Sequence, residues 1–192
     1  MNTEANKQRF IGLCETLIKR DGISDLMKYL ENSDFYTAPA STRFHLAEPG
    51  GLLAHSLNVY DQLLKLLDTY PEVKLSDESA AIMALFHDLC KANMYTPEKR
   101  NRKNSSGQWE QYDSYTINEK FHYGGHGSKS VFMLQNYIRL TPEEAVAINC
   151  HMGAWDGNKD VGSAYEQFTS AWLLHVADEA ACYLMEAKQS DE

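Results

Sequence analysis

The chain has 192 residues, 43% of them hydrophobic and 23% charged, with 18 basic and 27 acidic side chains. At about 100–200 residues per domain this is one domain with a core of its own, too apolar to be disordered. A net charge of −9 argues against broad non-specific nucleic-acid binding, yet leaves room for a small phosphorylated substrate held through a metal.

Nowhere do about 20 apolar residues run together, and the opening MNTEANKQRF has no apolar signal region, so no membrane partner and a cytoplasmic location are expected. Cys14, Cys90, Cys150 and Cys182 form no CxxC pair and read as reduced, small core residues.

In chain order, a first helix runs from about Thr3 to Arg20 and a second from about Ile23 to Leu30. Residues 32–51, with Pro39, Pro49 and paired glycines, are irregular. A long helix follows over about Leu52 to Leu67, with Leu53, Leu57, Leu64 and Leu67 on one stripe and Leu52, His55, Val59 and Leu66 on another; Tyr70-Pro71 ends it. Residues 79–90, SAAIMALFHDLC, are apolar nearly all round and predict a buried central helix.

Residues 94–117 break the helical pattern, with two β-compatible arms around a turn at Asn104–Gly107, and predict a hairpin. Lys99, Arg100, Arg102 and Lys103 make it basic, which suits either a solvated turn or steering of a polyanion. Helices resume at about Ser128 to Arg139 and at Thr141, where Thr141-Pro-Glu-Glu144 supplies an N-cap, a first-turn proline and a capping-box glutamate. A last helix covers about Ala164 to Lys188. The fold class is all-α with one hairpin insertion, in a single domain whose core spans about 44–184 beneath the helices of 1–43.

His87-Asp88 does not fit so apolar a helix, because an ionised carboxylate buried without a partner costs several kcal/mol or more. His55 sits on an apolar stripe 32 residues earlier, and Asp178 on another, flanked at helical spacing by Ala171, Leu174, Ala181 and Met185. Any one of these alone reads as a satisfied core residue; together, three helices aiming imidazole or carboxylate inward are compensated by a divalent cation. His126, between glycines in Tyr123–Gly127 (YGGHG), and His151, in Asn149–Gly153 (NCHMG), extend the set.

The order His55, His87-Asp88, His126, His151, Asp178 resembles the HD-domain superfamily of metal-dependent phosphohydrolases. Pro49–Leu57 (PGGLLAHSL) looks like its first-histidine segment, Phe86–Lys91 (FHDLCK) like its HDxxK signature, and His175–Asp178 (HVAD) like its closing aspartate motif. The first of these, with His45 before it, is similar to the HD modules of YhaM-type 3′–5′ exoribonucleases and relaxase-associated hydrolases. The two middle histidines are similar to those of binuclear members such as the HD-GYP phosphodiesterases, though the GYP motif is absent.

The resemblance implies an HD-like helical bundle in which His55, His87, Asp88 and Asp178 hold one metal and Asp88 bridges to a second held by His126 and His151. Such donors suit Mn, Fe, Co, Ni or Zn, with Mg also admissible. Asp88 is then central to catalysis, Lys91 and Lys129 are candidate phosphate contacts, and Arg43 and His45 candidate pocket residues. His122 and His175 read as structural, His175 with the option of orienting a ligand. The leading expectation is hydrolysis of a nucleotide or related small phosphoester by a metal-activated water. A 3′–5′ nuclease or cyclic-nucleotide phosphodiesterase, an HD-type di-iron oxygenase and a non-catalytic metal-binding sensor stand as alternatives.

Overall fold

The computed structural model describes residues 2–118, 125–156 and 159–187. Helix α1 (Thr3–Leu17) opens under the Asn2 side chain and ends earlier than its periodicity predicts. Ile18 turns extended, Glu78 accepts the Lys19 backbone N–H at 2.7 Å, and Arg20 is thereby free to reach across the fold. Helix α2 (Ile23–Glu31) and the irregular stretch to Gly50 follow, then α3 (Gly51–Thr69), as the sequence predicts.

The central helix is α4 (Asp77–Phe86), capped by Ser76, with every residue from Ala80 to Lys91 buried. It packs against α3, which also packs against α8 (Thr169–Ala180). Phe10, Phe35 and Phe86 meet in tilted and edge-on contacts at 5.3 and 5.6 Å and tie α1 to α4 in one contiguous core. Among the described residues no helix is long and apolar enough to cross a membrane.

Strands β1 (Tyr95–Lys103) and β2 (Trp109–Ile117) pair antiparallel from Tyr95 against Ile117 to Lys103 against Trp109. The turn lies where the sequence placed it, its Asn104 Oδ1 accepting the Ser106 and Gln108 N–H groups at 3.0 Å. The basic residues are matched within the hairpin: Lys99 pairs with Asp113, Arg100 with Glu98 and Arg102 with Glu110, while Lys103 lies over the Trp109 ring. This local neutralisation fits the solvated turn better than a steering surface.

Helix α5 (Gly125–Leu134) starts earlier and ends sooner than predicted, its end tightening into i→i+3 bonds from Asn136 and Tyr137. Helix α6 (Pro142–Cys150) carries the predicted capping box. The single last helix expected over 164–188 is instead α7 (Val161–Gln167), an extended Phe168, α8, and a π-helical turn over Ala181–Met185. Phe168 packs on the core and Ser170 donates to Glu143 at 2.5 Å, so the start of α8 is tied to α6 rather than continuing α7.

Glu144 joins these helices. Its fully buried carboxylate accepts two bonds from Arg20, one from the Ser79 hydroxyl and one from the Thr141 N–H, at 2.7–3.0 Å. Burial alone would raise its pKa, but Arg20, Thr141 and Ser79 hold it below the ordinary value of 4.5. A depressed folded-state pKa stabilises the fold above the unfolded value and loses that contribution as pH falls through the folded one. Glu144→Ala is expected to cost about 1–3 kcal/mol in denaturant unfolding, because Ser79 and Thr141 lose their acceptor while Arg20 keeps Glu78. Glu144→Gln should flatten the acid limb of the stability–pH curve; an unchanged limb would show that this carboxylate does not drive acid unfolding.

Candidate metal centre

The 41–50 loop and five helices, α3, α4, α5, α6 and α8 with its terminal π-turn, bring polar side chains to one buried centre. A Cβ on Gly51 would lie 2.1 Å from the Leu46 carbonyl oxygen, so only glycine lets the 41–50 loop close over the start of α3, with His45 beside His55. At the end of α4, Asp88 leaves helical geometry (φ −105°, ψ 22°), which turns both adjacent residues of the doublet into the same space. A Cβ on Gly127 would come within 2.4 Å of the Asn149 carbonyl oxygen, so its absence lets α5, carrying His126, press onto α6, which ends at His151.

The imidazoles of His45, His55, His87 and His151 form a row with centroid spacings of 4.8, 5.1 and 4.9 Å. His87 Nδ1 donates to the Ala84 carbonyl at 2.8 Å and His151 Nδ1 to the Ile148 carbonyl at 2.7 Å, while His55 Nδ1 faces Glu186 at 3.1 Å. Each ring therefore turns Nε2 inward. His55 Nε2 lies 3.2 Å from His87 Nε2, 3.1 Å from Asp178 Oδ1 and 3.6 Å from Asp88 Oδ2. His151 Nε2 stands 3.6 Å from Asp88 Oδ1, and among the described residues both atoms are buried without a hydrogen-bond partner.

The electrostatics follow from this crowding. Burial by itself would lower the His55 pKa, but Asp178 and Glu186 outweigh it and raise it to about 10. Burial likewise opposes ionisation of Asp178 and Asp88, yet His55 holds the first, and Lys91 with His87 and His151 the second, well below the usual carboxylate range. His45 goes the other way, pushed down to about 4 by burial and by the positive His55 and Lys91.

These residues fit a divalent cation. Two orphaned buried polar atoms each cost about 1–3 kcal/mol unless something satisfies them. Neutral imidazole Nε2 atoms and carboxylate oxygens facing one another, each ring fixed through Nδ1, are the donor set of a transition-metal site. His55, His87 and Asp178 offer ligand atoms within 4.8 Å of one another, as do His87, Asp88 and His151, and Asp88 belongs to a further group with Cys90 and His126. His126 thus stands beside Asp88 and Cys90, its Nδ1 3.5 Å from Cys90 Sγ.

Lys91 is buried, donates to Asp88 Oδ2 at 2.6 Å and lines a cavity of about 600 Å³ that opens from the centre. Arg43 and His45 line the same cavity, whereas Lys129, half-buried on α5, is not among its lining residues. His175 Nδ1 donates to the His151 carbonyl at 2.7 Å and steadies that segment. His122, and the part of YGGHG before Gly125, lie outside the described residues.

Sequence periodicity missed several neighbours. Met185, expected on the buried stripe with Asp178, is 46% exposed, and Glu186 is buried in its place because the π-turn shifts the register. Cys182, expected in the core, is only partly buried and lies on the cavity wall, 3.6 Å from His45 Nδ1. Phe44, Trp155 and Tyr183, all largely exposed, line the cavity toward solvent, and nothing in a single sequence sets them apart from other surface aromatics.

No curated protein and no solved structure gives a significant match. A family model does match: HD domain, over residues 52–187, from the helix that carries His55 to the turn that delivers Glu186. That span exceeds two-thirds of the chain and contains each of the six converging histidines and aspartates in order, and on that match the chain belongs to the HD domain family, of metal-dependent phosphohydrolase type.

Proposed function

We propose that this protein hydrolyses a phosphoester of a nucleotide or a related small phosphorylated compound. The observation that carries the reading is the inward-facing set of His55, His87, Asp88, His151 and Asp178, of which His55, Asp88 and Asp178 line an open cavity. A divalent ion held there would polarise a phosphoryl oxygen and lower the pKa of a bound water toward neutrality.

The chain's own residues do the rest. Asp88 aims one oxygen at Lys91 and leaves the other free, so it can serve two neighbours at once. Lys91, kept protonated by Asp88 despite its burial, offers the cavity a fixed positive charge for a phosphoryl group. Arg43 supplies a second cation at the rim, and Lys129 on α5 is our second candidate phosphate contact. His126, near Asp88 and Cys90, is the residue we assign to a second ion, with His151 and Asp88.

The nucleotide assignment is supported by Phe44, Trp155 and Tyr183 around the mouth, since exposed rings beside a cation-lined cavity suit a planar base. The test is phosphate release from nucleotides and from matched aliphatic phosphoesters by the chain loaded with manganese, cobalt or iron. We expect turnover with a nucleotide preference, and Trp155→Ala should raise KM for nucleotides by about 5–100-fold while leaving aliphatic substrates unchanged. Release from neither class with any metal would overturn the hydrolase reading.

A further inference from the structure

The π-turn at the end of α8 does something a regular helix would not. At about 100° per residue, a residue seven positions after Asp178 points almost the same way, and one eight positions after points about 80° off. Regular helix would therefore turn Met185 toward the centre and Glu186 aside. One extra residue in the Ala181–Met185 turn, closed by the i→i+5 bond from the Glu186 N–H to the Ala181 carbonyl at 3.1 Å, exchanges them. Leu184 and Met185 are exposed, and the Glu186 side chain is 1% exposed.

The carboxylate so delivered is fully engaged. Both oxygens lie 3.1 Å from His55 Nδ1, and Asn58 Nδ2, one turn further along α3, donates to Oε1 at 2.8 Å. Asn58 fixes the carboxylate, which in turn fixes the ring plane and tautomer of His55 so that Nε2 carries its lone pair toward His87 and Asp178 when an ion is present.

We propose that Glu186 is the positioning residue of the metal centre, acting through His55, and that the π-turn exists in this chain to place it. The proposal rests on the reading of the centre as a metal site. Carboxylates in this position raise the donor strength of a ligating imidazole, and their removal costs about 10–100-fold in metal affinity.

The experiment titrates the full-length chain with manganese(II) and cobalt(II) against a chromophoric chelator and records the visible spectrum of the cobalt form. Glu186→Ala should weaken binding about 10–100-fold and alter the cobalt spectrum, although no coordinating residue has changed. Glu186→Gln, which keeps an acceptor for the His55 N–H but loses the charge, should fall between that variant and the parent, and remains informative if the alanine variant does not fold. Exchanging the two residues, Met185→Glu with Glu186→Met, should bind as weakly as Glu186→Ala, because the π-turn now points the carboxylate to solvent. Parent-like affinity and spectrum in the alanine and glutamine variants, or full affinity in the exchanged one, would overturn the proposal. A parent chain that takes up neither ion would overturn the metal site itself, a result recognisable because it appears before any substitution.

Discussion

Asp88→Ala is expected to bring turnover to background and to abolish tight metal uptake. Asp88 belongs to two of the ligand groups, and its unpartnered Oδ1 and its Oδ2 face His151 and Lys91 respectively. Its loss also strands Lys91, buried and paired with Asp88 at 2.6 Å, so the alanine variant should lose about 3–5 kcal/mol of stability. Folding and chemistry can be separated by Asp88→Asn with Lys91→Met, which removes both charges and should recover most of the stability, as apolar replacement of a buried pair generally does. Phosphate release and unfolding curves on the same preparations check this; parent-like turnover in the stable double variant would remove Asp88 from the reaction.

Stripping metal with a chelator is expected to lower the melting temperature by about 5–15 °C relative to the chain at 100–1,000 times the dissociation constant. The estimate combines about 2.7–4.1 kcal/mol from mass action with about 2–4 °C per kcal/mol for a chain of this size. Uptake should release protons in weakly buffered solution, because Asp178 and Glu186 keep His55 protonated without metal, with a pKa of about 10, and a ligating Nε2 must be deprotonated. In the metal-free chain that raised pKa stabilises the fold below about 6.5 and is lost as pH rises through about 10, so metal should protect most at alkaline pH. Elemental analysis decides the ion count: two per chain would bring His126 and His151 into the ligand set, and one would leave His126 to Cys90. A melting temperature indifferent to metal would overturn the cation as the partner of these buried atoms.

The buried doublet shows how far a sequence reads by itself. SAAIMALF permits no exposed face, so a histidine and an aspartate at its end had to be inside and had to be compensated, whatever the topology. His55 was legible for the same reason, on a stripe whose neighbours Leu52 and Val59 are buried. The capping box at Thr141 and the turn at Asn104 were legible because both are local hydrogen-bond chemistry, satisfied within four residues.

Glu186 marks the opposite case. Helical spacing from Asp178 selects Met185, and the one extra residue in the π-turn reverses the choice without leaving a trace in composition. The break at Phe168 and the early end of α1 at Ile18 are of the same kind: each is set by a partner far along the chain, Glu143 for Ser170 and Glu78 for Lys19. The helical class and the hairpin were readable in the residues alone, since periodicity and turn chemistry act over a few residues; the family was readable through the ordered motifs around His55, His87-Asp88 and Asp178, and the cost of burying charge marked those side chains as needing compensation. Long-range packing is what brings those residues to one centre, His126 to Cys90 and Asp88, Phe44, Trp155 and Tyr183 to one mouth, and Glu186 behind His55. Those are distances between segments far apart in the chain, His55 and Glu186 being separated by 131 residues, and packing alone fixes them.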